Sequence, residues 1–148
     1  MTDFAKARGL ALAVPLVLML GAWGSQFIGG LVPCEMCMWQ RWAHESAIGL
    51  AALTFLLPKR WLIALAALAI LVSGGIGFWH AGIEYGWWEG LTQCSRLGGG
   101  SLAEIMNTPL VRCDQAQWTL GPISLAGFNG IFSALGGLAV LRQLARNR

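Results

Sequence analysis

Two of the four cysteines stand three positions apart, at Cys34 and Cys37, and this spacing is typical of a reversible two-electron thiol–disulfide pair. A disulfide across so short a loop removes little entropy from the unfolded chain, so it stabilises a fold very little. The other two, Cys94 and Cys113, lie in one polar segment. Four cysteines allow three pairings, which the spacing leaves open. The residues therefore indicate disulfide exchange rather than structural bridges.

The residues around Cys37 favour its thiolate. The pair falls where a helix is predicted to begin, and the unpaired N–H groups of a helix N-terminus stabilise an anion. Arg41 follows Cys37 by four residues, so within a helix the two share a face and a permanent cation lies near the sulfur. We predict a lowered pKa for Cys37. The alternative role of Arg41 is to anchor the helix end among lipid headgroups.

Membrane helices are the elements that must position these residues. The 148 residues are 56% hydrophobic and 11% charged, with a mean hydropathy of +0.60, which is more apolar surface than a soluble domain of this size can bury. Because a span needs about 20 residues, the pattern predicts transmembrane helices at about 10–32, 40–57, 61–82 and 122–141. The segment at about 83–121 holds four acidic residues and two arginines, so it is predicted to be a polar loop.

The charged residues orient these spans. One side of the membrane receives six of the seven acidic residues together with Arg41, Arg96 and Arg112. The other side receives the remaining basic residues, which are Lys6, Arg8, Lys59, Arg60, Arg142, Arg146 and Arg148. By the positive-inside rule both termini are cytoplasmic, and all four cysteines face the compartment outside, which in bacteria is oxidising. A cleaved signal peptide is the alternative for the first segment, but its apolar run is long and no A-x-A site follows.

The predicted fold is an all-α membrane protein, a single domain over residues 1–148 built as an antiparallel bundle of four transmembrane helices. Small residues should permit close helix contact, namely Gly74, Gly75, Gly77, Gly136 and Gly137. Within the periplasmic loop, apolar residues recur at helical spacing after Ser101, a favourable N-cap. We therefore predict a short amphipathic helix on the membrane surface.

The string PCEMCMWQR at positions 33–41, the four predicted spans and a second cysteine pair after the third span resemble the DsbB family of disulfide bond formation proteins. The resemblance implies a protein-dithiol:quinone oxidoreductase in the bacterial inner membrane. Such a protein reoxidises a periplasmic, thioredoxin-like thiol oxidase of the DsbA type. It passes the two electrons to a membrane quinone, either ubiquinone or menaquinone.

The resemblance also assigns roles to the cysteines. The partner's thiolate attacks Cys94, whose loop mate is Cys113. Exchange then carries the electrons to Cys34 and Cys37, and Cys34 pairs transiently with Cys113. Cys37 is the thiolate that faces the quinone.

Two further residues are implied at the quinone. Arg41 holds a quinone oxygen, and His80 lies where the family often has a histidine that helps to deliver a proton. Histidine suits proton transfer because its ordinary pKa is near neutrality. His80 also forms an i, i+4 pair with Glu84, so a structural role is the alternative for both.

Three other classes of protein share features with this sequence. The vitamin K epoxide reductase type has its loop cysteines before the Cys-X-X-Cys pair, the reverse of this order. A zinc site of four thiolates is disfavoured because Cys94 and Cys113 are too widely spaced, and no metal site is predicted. A noncatalytic four-helix membrane module with structural disulfides remains as the alternative function. The basic residues follow topology rather than a nucleic-acid patch, so lipid and a thiol oxidase are the expected partners.

Overall fold

The computed structural model describes residues 2–90 and 111–146, and its main elements there are four helices. In chain order they are α1 (Asp3–Phe27), α2 (Glu35–Leu53), α3 (Arg60–Glu84) and α4 (Leu125–Ala145). Cys94, the glycine run at 98–100 and the amphipathic helix predicted after Ser101 lie outside the described residues.

Side chains at the N-caps determine where three of these helices begin. Thr2 accepts a hydrogen bond from the backbone N–H of Ala5 ahead of α1. Cys34 caps α2 through its sulfur, and the Ser124 side chain caps α4. Each cap satisfies a backbone N–H that the first turn of a helix leaves without a partner.

Just before α4 the chain forms a two-residue antiparallel ladder. Strand β1 (Thr119–Leu120) pairs with β2 (Ile123–Ser124), and Gly121 turns between them with a φ of 62°. Glycine suits this position because a positive φ costs it no steric strain. The sequence did not predict these strands, and they delay the last helix to Leu125 instead of about residue 122.

The first two helices begin earlier and end sooner than the hydropathy pattern indicates. Helix α1 begins at Asp3 and ends at Phe27, since the chain turns at Gly30 with a φ of 69°. Helix α2 begins at Glu35, so Cys37 lies inside its first turn rather than ahead of the helix. It ends at Leu53, and the residues after it form turns.

Consecutive helices run antiparallel, as an apolar cluster at one end of the molecule shows. This cluster joins the start of α1, the end of α2, the start of α3 and the end of α4. Its buried members are Ala7, Ala11, Ala51, Ile63, Ala66, Ala67, Val140 and Leu144. We call this the terminal end, because both ends of the described chain lie on the helices there. The opposite end, where α2 begins and α3 ends, is called the cysteine end.

Glycines bring α3 and α4 into close contact. A Cβ atom added at Gly77 would lie 2.9 Å from the backbone oxygen of Ala126 and 2.9 Å from the backbone nitrogen of Gly130. Gly74, Gly136 and Gly137 are also closely packed, as predicted. The prediction for Gly75 is wrong, because an added Cβ would meet nothing within 4 Å.

Three of the described helices, α1, α3 and α4, are long and apolar enough to cross a membrane. Helix α2 is not among them. Its first half carries Glu35, Arg41, His44 and Glu45, which lower its hydropathy. The predicted all-α class is confirmed, and three of the four predicted spans have the required length and composition.

Candidate functional site

The cysteine pair begins helix α2 and lies half inside the protein. Cys34 has an extended backbone as the N-cap, and its sulfur accepts a hydrogen bond from the Cys37 backbone N–H at 3.2 Å. Both residues are free thiols, and their Sγ atoms are 2.7 Å apart. Cys34 is buried, whereas Cys37 is partly exposed. Helix geometry thus holds the two sulfurs where little movement is needed to join them.

Contact between the two sulfurs makes the thiols unequal. Both cysteines lie at the N-terminal end of α2, outside the apolar part of the helix. The hydrogen bond from the Cys34 S–H lowers the pKa of Cys37. The same bond, together with burial, raises the pKa of Cys34. The lowered pKa predicted for Cys37 is confirmed in direction, but its main cause is Cys34, and Arg41 contributes less.

The Arg41 guanidinium points across to the last turns of α1. It donates hydrogen bonds to the side-chain oxygen of Gln26 and, at 3.0 Å, to the backbone oxygen of Ala22. Carbonyl groups near the C-terminal end of a helix carry partial negative charge, which favours a cation there. Arg41 is therefore held by protein groups on the wall of a cavity, and not by lipid headgroups alone.

His80, from the last turns of α3, lies beside the cysteine pair. Its side chain is 3% exposed, with Nε2 3.7 Å from the Cys34 sulfur and 3.7 Å from Oε1 of Glu84. On the other side of the ring, Nδ1 lies 3.1 Å from Nε2 of Gln40. The ring also hydrogen-bonds the backbone of Cys113.

Cys113 reaches the same place from the segment that follows the third helix. It is disulfide-bonded and buried, and it packs in one apolar cluster with Cys34, Met36 and Ile83. The structure therefore brings together three of the four cysteines that the sequence singles out. The fourth, Cys94, is outside the described residues.

A cavity of about 330 Å³ opens beside the pair. Its walls are mainly apolar, with most of the apolar residues on α1 and α4, whereas its polar lining includes both cysteines of the pair, Arg41, His44, His80 and Glu84. Among the described residues, two buried atoms on this lining have no hydrogen-bond partner, Nδ1 of His44 and Oε2 of Glu84. Apolar walls with a few convergent polar groups are typical of small-molecule sites.

Three polar residues of this site are not predicted from the sequence. The sequence assigns no role to Glu84, and no pattern in it indicates a role for Gln40 or Asn129. Asn129 lies in the second turn of an apolar helix, and a polar residue within an apolar segment often marks a site. This position within an apolar segment is the feature of the sequence that could have indicated a role for Asn129. The contacts of Asn129 with α2 and α3 depend on the packing.

Comparison with known proteins gives a consistent family. The family described as disulfide bond formation protein DsbB matches residues 5–143. Disulfide bond formation protein B of Verminephrobacter eiseniae is 34% identical, over 93% of this chain and 83% of that protein. The protein of the same name from a Polaromonas species is 29% identical, over 99% of this chain and 96% of the relative. No solved structure matches the chain.

Proposed function

We propose, since the chain belongs to the DsbB family of disulfide bond formation proteins, that it is the membrane oxidase that returns a reduced periplasmic thiol oxidase to its disulfide form. Membership of the family makes it a membrane protein of disulfide bond formation with thiol–disulfide oxidoreductase chemistry. The proposal adds the two substrates. These are a thioredoxin-like partner of the DsbA type and a membrane quinone, ubiquinone or menaquinone.

The observation that carries the proposal is the packing of two kinds of cysteine in one buried cluster beside the cavity. Cys34 and Cys37 are free thiols on a helix N-terminus, and the disulfide-bonded Cys113 packs against them. Disulfide exchange needs direct contact between sulfurs, which this cluster supports. A structural bridge has no need of free thiols beside it.

Each exchange transfers two electrons without a change in their total number. An attacking thiolate forms a new bond to one sulfur of a disulfide, and the other sulfur leaves with the electron pair. Attack of the partner's thiolate on Cys94 releases Cys113. Once the quinone has oxidised Cys34 and Cys37 to a disulfide, the Cys113 thiolate attacks Cys34, the Cys34–Cys37 bond breaks, and Cys37 leaves with the electron pair. Cys34 then has no S–H to donate, so the backbone N–H groups of the helix N-terminus and the nearby Arg41 stabilise the departing Cys37 thiolate. The electrons thereby reach the sulfur that is partly exposed beside the cavity.

The residues of the cavity fit a quinone. The cavity has a volume of about 330 Å³ and apolar walls, which suit a planar ring. A bound quinone supplies an acceptor of two electrons and two protons. Arg41 offers a permanent cation to a ring oxygen. The unpartnered carboxylate oxygen of Glu84 is available to exchange a proton, and His80 lies next to it.

We extend the proposal to topology. Helix α2 runs antiparallel to α1 and α3, so it crosses the same layer, with its polar half at the cysteine end. The protein then crosses the bacterial inner membrane four times. By the positive-inside rule, the lysines and arginines around residues 59–60 and at both termini support a cytoplasmic terminal end and periplasmic cysteines.

Quinone reduction by the purified protein in detergent, with a reduced thioredoxin-like thiol oxidase as donor, tests the proposal. We expect activity in the native protein and its loss in both Cys37→Ser and Cys94→Ser. The control is Ser46→Ala, which removes an exposed hydroxyl hydrogen-bonded to its own helix and should keep native activity. A native protein that is inert, with disulfides that resist the partner, would instead identify a structural module.

A further inference from the structure

A chain of side-chain amides connects His80 to the second turn of α4. The Gln40 side chain donates from Nε2 to the backbone oxygen of Met36 at 3.1 Å, and its Oε1 accepts from Nδ2 of Asn129 at 2.8 Å. Asn129 in turn donates from Nδ2 to the backbone oxygen of Ser73 at 3.1 Å. Backbone oxygens only accept hydrogen bonds, so these two contacts determine which way each amide faces.

This orientation determines which nitrogen of His80 carries the proton. Nε2 of Gln40 is an NH₂ group and can only donate, and it faces Nδ1 of His80 at 3.1 Å. Nδ1 must therefore be the unprotonated acceptor. In the neutral ring the proton is then on Nε2, the nitrogen that faces the Cys34 sulfur and Glu84.

We propose that Gln40 and Asn129 are positioning residues that hold His80 as a neutral Nε2–H donor beside the sulfur of Cys34. The inference rests on the proposed function and deepens it, because it gives His80 a task in thiol exchange. In this tautomer the ring has no free nitrogen to act as a base. Its task is to stabilise negative charge, and proton exchange falls to Glu84.

The stabilised charge appears when a disulfide of Cys34 opens by attack on the other sulfur, as when the transient Cys34–Cys113 disulfide is resolved at Cys113. A thiolate attacks the sulfur bonded to Cys34, the old S–S bond breaks, and Cys34 keeps the electron pair as a thiolate. No proton moves in this step. An N–H group already 3.7 Å from the buried sulfur can donate to that anion with little reorganisation, and it favours the anion over the neutral Cys113 backbone. His80 is well placed for this, because Cys34 is only 4% exposed and receives little help from water.

The tautomer can be read directly by ¹⁵N NMR of the detergent-solubilised protein labelled at histidine. The chain has two histidines, so the signals that remain in the variant His44→Gln belong to His80. We expect His80 of the native protein to carry its proton on Nε2 alone. Gln40→Leu should produce a mixture of tautomers, and Gln40→Glu should move the proton to Nδ1, since a carboxylate only accepts. The control Gln143→Leu, which loses a contact with Asp3 at the terminal end, should leave the spectrum native.

A kinetic measurement complements the spectrum. Reduction of the Cys34–Cys37 disulfide by a small dithiol should slow about tenfold in Asn129→Leu, the loss expected for a hydrogen bond to a charged group. It should keep its native rate in Gln143→Leu. Protonation of native His80 on Nδ1 or on both nitrogens would overturn the proposal, as would an unchanged tautomer in Gln40→Glu. Neither measurement uses quinone or the partner protein, so failure of the proposed function would leave these results intact and would be recognised separately.

Discussion

The two ends of the helix packing bury different kinds of groups. The terminal end is filled by alanines with a few larger aliphatic residues, and its buried cluster contains no ionisable side chain. The cysteine end buries the thiol of Cys34, the disulfide-bonded Cys113, two imidazoles and a carboxylate, and two polar atoms there have no partner among the described residues. Burying an unpaired polar atom costs free energy, so a protein keeps such atoms mainly where they have a function.

The contrast indicates how one small chain combines stability with reactivity. Close packing of small residues at the terminal end holds the helices together. Helices held in this way can carry reactive groups at their other ends with little loss of order. We therefore expect substitutions at the cysteine end to change chemistry more than stability, and those at the terminal end to do the reverse.

The largest difference should appear within the cysteine pair. In the reduced protein, Cys37 should react with iodoacetamide about a hundredfold faster than Cys34 near neutral pH, because a thiolate is the reactive form. The lowered pKa of Cys37 means that its reactivity persists below 9.0, the ordinary thiol value, and is lost only as the pH falls through the lowered pKa. Mass spectrometry of the modified peptides measures both rates.

Cys34→Ala supplies the comparison for this measurement. It removes the hydrogen bond that lowers the pKa of Cys37, so the decline in Cys37 reactivity should move to higher pH. An unchanged pH profile would show that the helix N-terminus and Arg41 lower the pKa without Cys34.

A smaller effect should separate two arginines. Arg41→Met should raise the KM for quinone about tenfold, because the variant loses a charged group on the cavity wall. Arg60 donates to the backbone oxygen of Leu144 at the terminal end. Arg60→Met should lower thermal stability and leave the KM unchanged. Equal KM values in the two variants would contradict the division between the ends.

The smallest effects should come from single methyl groups and are measured on stability. Gly77→Ala should destabilise by about 1–3 kcal/mol, because its Cβ would clash with backbone atoms of α4 that cannot turn aside. Gly137→Ala, nearer the terminal end, meets mainly the side chain of Leu71 and should cost less. Gly75→Ala meets nothing and should be neutral or slightly stabilising. Thermal unfolding in detergent ranks the three variants.

Much of the site was predictable because its chemistry depends on local spacing. The Cys-X-X-Cys pair, Arg41 four residues later and the helix that begins there all follow from residues close together in the chain. The group that most lowers the pKa of Cys37 does not follow from this local spacing. Arg41 was predicted to act on Cys37, whereas Cys34 has the larger influence on its pKa, since the contact between the two sulfurs depends on how the N-cap places Cys34.

Helix boundaries were harder to predict than helices. Hydropathy showed that apolar helices exist, but their ends are decided by caps and turns, as at Cys34 and Gly30. Gly75 shows the same difficulty on a helix surface. It stands in the run Gly74–Gly75–Gly77, but the rotation of α3 points only two of the three glycines at α4.

The sequence by itself determined the membrane class and the cysteine pair, because composition and short spacing suffice for these, and its charges predict the side of the membrane that the pair faces. Only the tertiary structure decided that Gln40, His80 and Asn129 form one hydrogen-bonded chain ending at Cys34. The three residues come from three helices, and His80 and Asn129 follow Gln40 by 40 and 89 positions. Their contacts follow from the rotation and depth of each packed helix, which arise from the whole packing and from no local pattern.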